Sequence, residues 1–479
     1  MEKSIKARSA RGLVWSAIDY FSKQGIQLVI SFVIARLLSP SDYGLVAMVW
    51  IFIDIANKLI DSGFSNALIQ KKNRTQTDLS TVFFFNVLVS VTIYAIIFIG
   101  APYVSQFYQI PELTFILRVM SLMVVINSFG IVHKTILTYN LDFKSLAKVS
   151  VSSALFSGII AIYLAYYGYG VWALVCQQII LGLSSLPMLW LLSSWHPDYA
   201  FSGKSFRELF GFGSKLMIGA LIHSVYNNLY SLIIGKVFNA SQLGFYNRAH
   251  SIAQLPSDNI TNVFDRVAYP IECELQNKDL QMKETLYRFI QMASYILFPV
   301  MLCLVVIATP LIKLTLTEKW LPCVPYFQLI CIANMFLPIM RMNWSFLNAK
   351  HRSDYSLQSE FIKKIVAFSI MFALYRFGVL YMCIGMILYS LSDWFIVTRY
   401  TKKVIPDVNM WTQFRALCPI FIISAISVVG SSAVLIVVSN SWLQLFIGTV
   451  VFFLSYAVMS KLFNRSEFAN IINFLKKVI

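Results

Sequence analysis

Residues 82–101 read VFFFNVLVSVTIYAIIFIGA, and residues 417–438 read LCPIFIISAISVVGSSAVLIVV. Neither run contains a charged side chain, and each reaches the length of roughly 20 apolar residues that a helix needs to cross a lipid bilayer. A transmembrane β-barrel would instead alternate apolar and polar residues in short segments. The two runs therefore predict an all-α membrane protein.

The composition of the whole chain agrees with this prediction. Of its 479 residues, 58% are hydrophobic and only 13% are charged, whereas about 25% of the residues in a typical soluble domain are charged. The mean hydropathy is +0.69. So few charged residues cannot cover the surfaces of soluble domains, which excludes a soluble enzyme, a disordered protein and a secreted disulfide scaffold.

Fourteen segments are predicted to cross the membrane. They are 12–37, 43–66, 79–102, 113–137, 147–168, 171–193, 209–235, 243–268, 286–310, 322–347, 358–378, 380–400, 414–438 and 441–462. If the N-terminus is cytoplasmic and the sides alternate, 29 Lys and Arg residues fall on the cytoplasmic side and 5 on the other. Cytoplasmic loops are enriched in positive charge, so both termini are predicted to be cytoplasmic. The net charge of +17 is then explained by the cytoplasmic loops and does not indicate a nucleic-acid partner.

An internal repeat lies at an offset of 200 residues. Residues 34–44, IARLLSPSDYG, align with residues 234–244, IGKVFNASQLG, and share a cation, small turn residues and a final glycine. Six predicted helices separate the copies, so both halves have the same orientation, as in parallel repeats related by an axis along the membrane normal. The predicted domains are an N-terminal lobe of six helices (1–200), a second six-helix lobe (201–403) and two further helices with a tail (404–479).

Polar residues inside the predicted spans recur at helical spacing. Helix 1 carries Asp19, Lys23, Gln27 and Ser31, and helix 2 carries Asp54, Asn57, Lys58 and Asp61. The offset of 200 places most of them on polar residues of helices 7 and 8, namely His223, Asn227, Ser231, Gln254, Ser257, Asp258 and Thr261. Ionisable groups in a membrane usually face a bundle interior or a water-filled cavity. We therefore predict one aqueous cavity lined by helices 1, 2, 7 and 8.

The charges of these spans suggest two kinds of site. Asp19–Lys23 and Asp54–Lys58 have the i,i+4 spacing of ion pairs, so each pair can be structural or functional. Three arginines have no acid three or four residues away, which favours contact with an anion. The substrate-binding candidates are Arg248, Arg341, Arg118, Lys23, Lys58, His223 and Asn227. The ion-coupling candidates are Asp19, Asp54, Asp61, Asp258 and Asp265.

Catalytic and cofactor motifs are absent from the sequence. No phosphate-binding loop, nucleophile motif or metal-binding pair of histidines occurs, and the seven cysteines form no CxxC pair. We therefore expect neither an enzyme nor a bound metal or cofactor.

Several longer motifs resemble those of Wzx-type polysaccharide exporters, in particular the colanic-acid-exporter branch. They are ARLLSPSDYGLVAM (35–48), DSGFSNALIQ (61–70), LGFYNRA (243–249) and EKWLP (318–322), in the same order along the chain. This family belongs to the multidrug/oligosaccharidyl-lipid/polysaccharide exporter superfamily. The resemblance implies a two-lobed bundle with alternating access in a bacterial inner membrane.

The same resemblance implies the cargo and the partners. The cargo would be an undecaprenyl-pyrophosphate-linked oligosaccharide, moved from the cytoplasmic to the periplasmic leaflet for O-antigen, capsule or exopolysaccharide synthesis. Membrane lipids, a polysaccharide polymerase and a chain-length regulator would be further partners. Two alternatives remain open: a drug/cation antiporter of the same superfamily, which an acid-rich cavity would favour, and a membrane-embedded polysaccharide polymerase or acyltransferase, which would need large external loops.

Overall fold

The computed structural model describes residue 15 and residues 22–61 and 63–463, and this part of the chain is helical without strands. The helices are α1 (22–37), α2 (Pro40–Asp61), α3 (Phe64–Gln70), α4 (Gln76–Tyr108), α5 (Leu113–Tyr139), α6 (Phe143–Tyr166), α7 (Val171–Ser193), α8 (Gly203–Val237), α9 (Ala240–Glu274), α10 (Asp279–Val306), α11 (Ala308–Leu316), α12 (Val324–Asn334), α13 (Leu337–Ala349), α14 (Ser353–Leu374), α15 (Val379–Val404), α16 (Met410–Val437) and α17 (Ser441–Phe463). Two 3₁₀ turns lie at Glu318–Cys323 and Tyr375–Phe377.

Within the described residues, 11 helical segments are long and apolar enough to cross a membrane. The three other predicted spans also fall on helices: the first lies partly outside the described residues, the eighth falls on α9 and the eleventh on α14. Helix α9 is too polar along its length to qualify by hydropathy, and α14 carries four charged residues. The prediction of an all-α, multi-pass membrane protein is confirmed.

Polar residues at the helix ends explain where several helices begin. Thr75 and Asp78 form a reciprocal capping box at the start of α4. Asn409 and Thr412 do the same for α16, and the Asp142 side chain accepts a hydrogen bond from the Ser145 amide at the start of α6. These side chains satisfy backbone amides that have no partner within the helix.

The described chain packs as two compact units that divide between Gly244 and Phe245, in the first turns of α9. In the first unit, α4 packs on α5, α7 packs on α5 and α6, and α8 packs on α2, α3 and α4. An aromatic core that includes Phe64, Phe83 and Trp195 fills one end of this unit. The predicted lobe boundary at residue 200 follows the repeat and stays a prediction.

In the second unit, α10 packs on α12 and α16, α14 packs on α15, and α16 packs on α17. A buried amide network joins three of its helices. The Gln413 amide donates to the Asn343 side-chain oxygen at 2.7 Å, and the Gln413 oxygen accepts from the Trp394 indole at 2.9 Å. Such fully bonded polar groups fix the register of helices in a medium where water is scarce.

The glycines that end the two repeat copies make a reciprocal contact. A Cβ added to Gly44 would lie 1.7 Å from the carbonyl oxygen of Ala240, and a Cβ added to Gly244 would lie 1.9 Å from that of Pro40. Positions 40 and 240, like 44 and 244, are related by the repeat offset. Glycine is needed at both positions because only a residue without a side chain allows so close an approach.

Candidate functional site

Asp54 connects two helices of the first unit. Its Oδ2 atom accepts hydrogen bonds from the Ser224 hydroxyl and, at 3.0 Å, from the Asn228 amide, both on α8. The Lys58 ammonium lies 3.9 Å from Oδ1 on the same helix. Asp54 and Lys58 therefore form the ion pair that their spacing suggests, and the carboxylate also joins α2 to α8.

A polar cavity of about 380 Å³, the α2–α5 cavity, lies in the first unit. Its polar lining consists of Asn57, Asp61, Ser65, Asn127, Lys134, Thr135 and Thr138. The Asp61 carboxylate accepts hydrogen bonds from both the amide and the hydroxyl of Ser65. Lys23 lies within electrostatic range of Lys134, so two cations and one acid act on this region.

A second cavity of about 390 Å³, the α1–α7 cavity, contains Gln27 and Ser31 from the predicted polar face of helix 1. Gln177 and Gln178 of α7 line the same cavity. These two glutamines sit within an otherwise apolar run, so the criterion applied to helices 1 and 2 could have found them. Asn127 and Lys134 on α5 were missed in the same way.

The other candidates of the first unit lie at partly or fully exposed positions. The His223 ring and the Asn227 amide are hydrogen-bonded to each other within α8, 2.8 Å apart. The Arg118 Nε donates to the Phe98 carbonyl at 3.1 Å, and the guanidinium lies 4.2 Å from the Phe98 ring centre. Phe98 of α4 therefore satisfies the Arg118 guanidinium without a bound anion. Asp19 lies outside the described residues.

In the second unit, helix α9 brings an acid towards one of the candidate arginines. Asp258 of α9 attracts Arg341 of α13 electrostatically, at more than the 4.0 Å of a direct ion pair. Arg341 is exposed, whereas Arg248 is buried. Asp265 is half-buried two turns after Asp258 on α9.

Two buried carboxyl groups of the second unit were not among the predicted site residues. Neither Glu272 oxygen has a hydrogen-bond partner within the described residues, although the side chain is fully buried. Asp393 lies 2.7 Å from the ammonium of Lys363, which is buried on α14 and also contacts Glu360 at 3.1 Å. Lys363 lies within the predicted span 358–378, and its ammonium is buried between α14 and α15.

A family model described as "Polysaccharide biosynthesis protein" matches residues 33–325, which is more than half of the chain. The chain belongs to the polysaccharide biosynthesis protein family. The family match includes the candidates on α2, α5, α8 and α9, but it ends before Arg341.

Similar proteins carry names that agree with the family match. The chain is 26% identical to the teichuronic acid biosynthesis protein TuaB of Bacillus subtilis, covering 88% of each chain. It is 25% identical to the lipopolysaccharide biosynthesis protein WzxC of Escherichia coli, covering 75% of this chain and 74% of WzxC. The resemblance to Wzx-type exporters that the motifs indicated is confirmed.

Solved structures show the fold that the family member adopts. The inward closed conformation of the lipid II flippase MurJ aligns with 95% of this chain and 99% of its own length, with a TM-score of 0.75 and 14% identity. An inward-facing multidrug resistance MATE transporter of the MOP superfamily aligns with a TM-score of 0.60, also at 14% identity. At this identity both alignments show a shared fold, and neither assigns a substrate to this chain.

Proposed function

We propose that this protein is a flippase that moves a polyprenyl-pyrophosphate-linked oligosaccharide from the cytoplasmic to the periplasmic leaflet of a bacterial inner membrane. We place both termini in the cytoplasm and assign it no enzymatic activity. The observation that carries the proposal is the α2–α5 cavity, which holds a lysine, an acid and several amide and hydroxyl groups within helices that can span a membrane. Such a lining replaces water around sugars and phosphates.

The physical reason for a polar cavity is the cost of moving the head group through lipid. Desolvating a charged, hydrogen-bonding group without compensation costs many kcal/mol, whereas the polyprenyl tail can remain in the bilayer. In the first unit we assign the pyrophosphate to Lys134 and Lys23. In the second unit we propose Arg341 as a separate phosphate-binding residue. Arg341 suits this role because a guanidinium binds phosphate oxygens in pairs.

The names of the relatives support this assignment. TuaB and WzxC are named for teichuronic acid and lipopolysaccharide biosynthesis, and ExoT of Rhizobium meliloti, 23% identical, is named a succinoglycan biosynthesis transport protein. The lipid II flippase named above shares the fold. A polysaccharide polymerase and a chain-length regulator are the partners that such a pathway would add.

The proposal is tested by deleting the gene in its own host. Surface polysaccharide should be lost, and the lipid-linked oligosaccharide should accumulate in the cytoplasmic leaflet. Undiminished surface polysaccharide, or loss of a drug-resistance phenotype alone, would favour the antiporter instead.

The cation assignment is tested by complementing the deletion. Arg341→Ala and Lys134→Ala should each reduce export by about tenfold or more at an unchanged protein level, since one charge-assisted bond is worth about 1.5–3 kcal/mol. Arg341→Lys should restore only part of the export. Lys204→Ala, at an exposed position near the start of α8, is the matched control and should leave export normal. Full export by both alanine variants would refute the assignment.

A further inference from the structure

A pocket of about 490 Å³ opens where α15 ends and α16 begins, in the second unit. We call it the α15–α16 pocket. Its walls include Phe395, Arg399 and Lys402 from α15 and Trp411 from α16. None of its lining residues lines either polar cavity of the first unit, and none is a predicted substrate-binding residue.

Positive charge in and around this pocket is not balanced by acids. Arg399, Lys402 and the neighbouring Arg415 are all exposed, and no carboxylate of the described residues lies within 4.0 Å of their charged groups. The acid of the connecting segment, Asp407, is already paired with Lys283 at 2.9 Å. That ion pair also holds the pKa of the Asp407 carboxyl below its usual range, so Asp407 stays ionised and paired with Lys283.

Aromatic side chains surround the same cations. Trp411 is 62% exposed, and its ring stacks on Phe414 with 5.8 Å between the ring centres. The Arg415 guanidinium lies 5.6 Å from the Trp411 ring, and the Arg399 guanidinium lies 6.0 Å from the Phe395 ring. Tryptophan and other exposed aromatics typically lie at the level of the lipid head groups, and cations near that level attract anionic lipids.

We propose that the α15–α16 pocket binds the phosphate of an anionic phospholipid. Arg399, Lys402 and Arg415 contact the head group, while Phe395 and Trp411 contact the glycerol backbone and the first acyl carbons. The charge distribution predicts this end of α15 to be cytoplasmic, so the lipid comes from the inner leaflet. The site does not depend on the transport proposal, because it uses none of the residues assigned to the cargo.

The full-length protein in a neutral detergent tests the site by native mass spectrometry with phosphatidylglycerol and phosphatidylcholine. The double variant R399Q/K402Q should bind phosphatidylglycerol about 25-fold more weakly, since each interfacial cation contributes about fivefold. Its binding of phosphatidylcholine should not change. The matched control K204Q/R207Q, which removes two exposed cations from the first turns of α8, should change neither by more than about twofold.

Two further measurements identify the source of the phosphate. Added salt should weaken phosphatidylglycerol binding to the unaltered protein, because exposed charges are screened, and glycerol 3-phosphate should not compete at the same concentration. The proposal fails if R399Q/K402Q binds phosphatidylglycerol normally, if the control loses as much, or if glycerol 3-phosphate competes equally well. It also fails if undecaprenyl phosphate is bound in preference to phosphatidylglycerol, since the pocket would then belong to the carrier lipid.

Discussion

At the scale of single residues, Asp54 is the clearest case of a candidate with a structural task. Removal of its carboxylate in Asp54→Ala should lower stability by about 1.5–3 kcal/mol, because hydrogen bonds to a charged acceptor are lost in a partly buried site. Ser224→Ala should cost less. The double variant should lose less than the sum, because both changes break the same bond.

Thermal unfolding in detergent measures these Asp54 effects. Asn227→Ala is the matched control, because the Asn227 amide is hydrogen-bonded to His223 of the same helix. This change should shift the free energy of unfolding by less than about 0.5 kcal/mol. Additive losses for Asp54→Ala and Ser224→Ala would mean that the link between α2 and α8 contributes nothing.

Glu272 is a second residue whose environment sets its charge. It lies beyond residue 268, where the predicted span ends. Burial raises the pKa of its carboxyl to about 8, and the charge of Asp265 raises it further. The folded protein then holds a proton that the unfolded chain, with its usual pKa near 4.5, releases. Stability should therefore fall as the pH rises from about 5 to about 8.

Two isosteric variants test the charge state of Glu272. Glu272→Gln should keep the protein stable and flatten its pH dependence, because glutamine resembles the neutral acid. Asp78→Asn should destabilise the protein, because Asp78 is equally buried but bonded as a carboxylate to Lys71 at 3.1 Å and to the Thr75 amide. Equal losses for both variants, or an unchanged pH slope in Glu272→Gln, would contradict this assignment.

At the scale of helices, the reciprocal contact of Gly44 and Gly244 makes the strongest prediction. Gly44→Ala and Gly244→Ala should each reduce folded protein sharply, by an equivalent of at least about 3 kcal/mol, because the new methyl group meets a backbone oxygen that cannot move aside. Gly219→Ala, within α8 and with open space around it, should be neutral or stabilising.

Fluorescence-detected size-exclusion chromatography of membrane extracts would report the outcome for these glycines. A monodisperse peak of normal height for both Gly44→Ala and Gly244→Ala would show that the close approach is not required. The repeat aligned these two glycines from sequence alone, but their contact with each other's helix start could be seen only in the folded chain.

At the scale of the whole molecule, the apolar runs were sufficient to predict the fold. All fourteen predicted segments fall on helices where the structure describes them, because a run of about 20 apolar residues has few alternatives in a membrane. The candidate site was harder to predict from the sequence, because its contacts join residues that are distant along the chain. Asp54 bonds Ser224 across 170 positions, and Asp258 approaches Arg341 from another helix.

The repeat offset selected positions on α8 that lie next to the residues bonded to Asp54. It pointed to His223 and Asn227, whereas Asp54 contacts Ser224 and Asn228. A shift of one residue turns a helix by about 100°, so an alignment of helices does not by itself identify the side chains that bond between α2 and α8. His223 and Asn227 stay predictions. Buried groups such as Glu272 have no sequence signature, because an acid near a helix end usually indicates an exposed surface.

The measurement that tests the central claim most directly is flipping by the purified protein in liposomes. A fluorescent polyprenyl-pyrophosphate oligosaccharide is placed in both leaflets, and an impermeant reductant quenches the outer pool. With this protein present, nearly all of the fluorescence should be quenched, while Arg341→Ala should leave a protected fraction close to that of protein-free liposomes. A protected fraction of about one half with the unaltered protein would contradict the account.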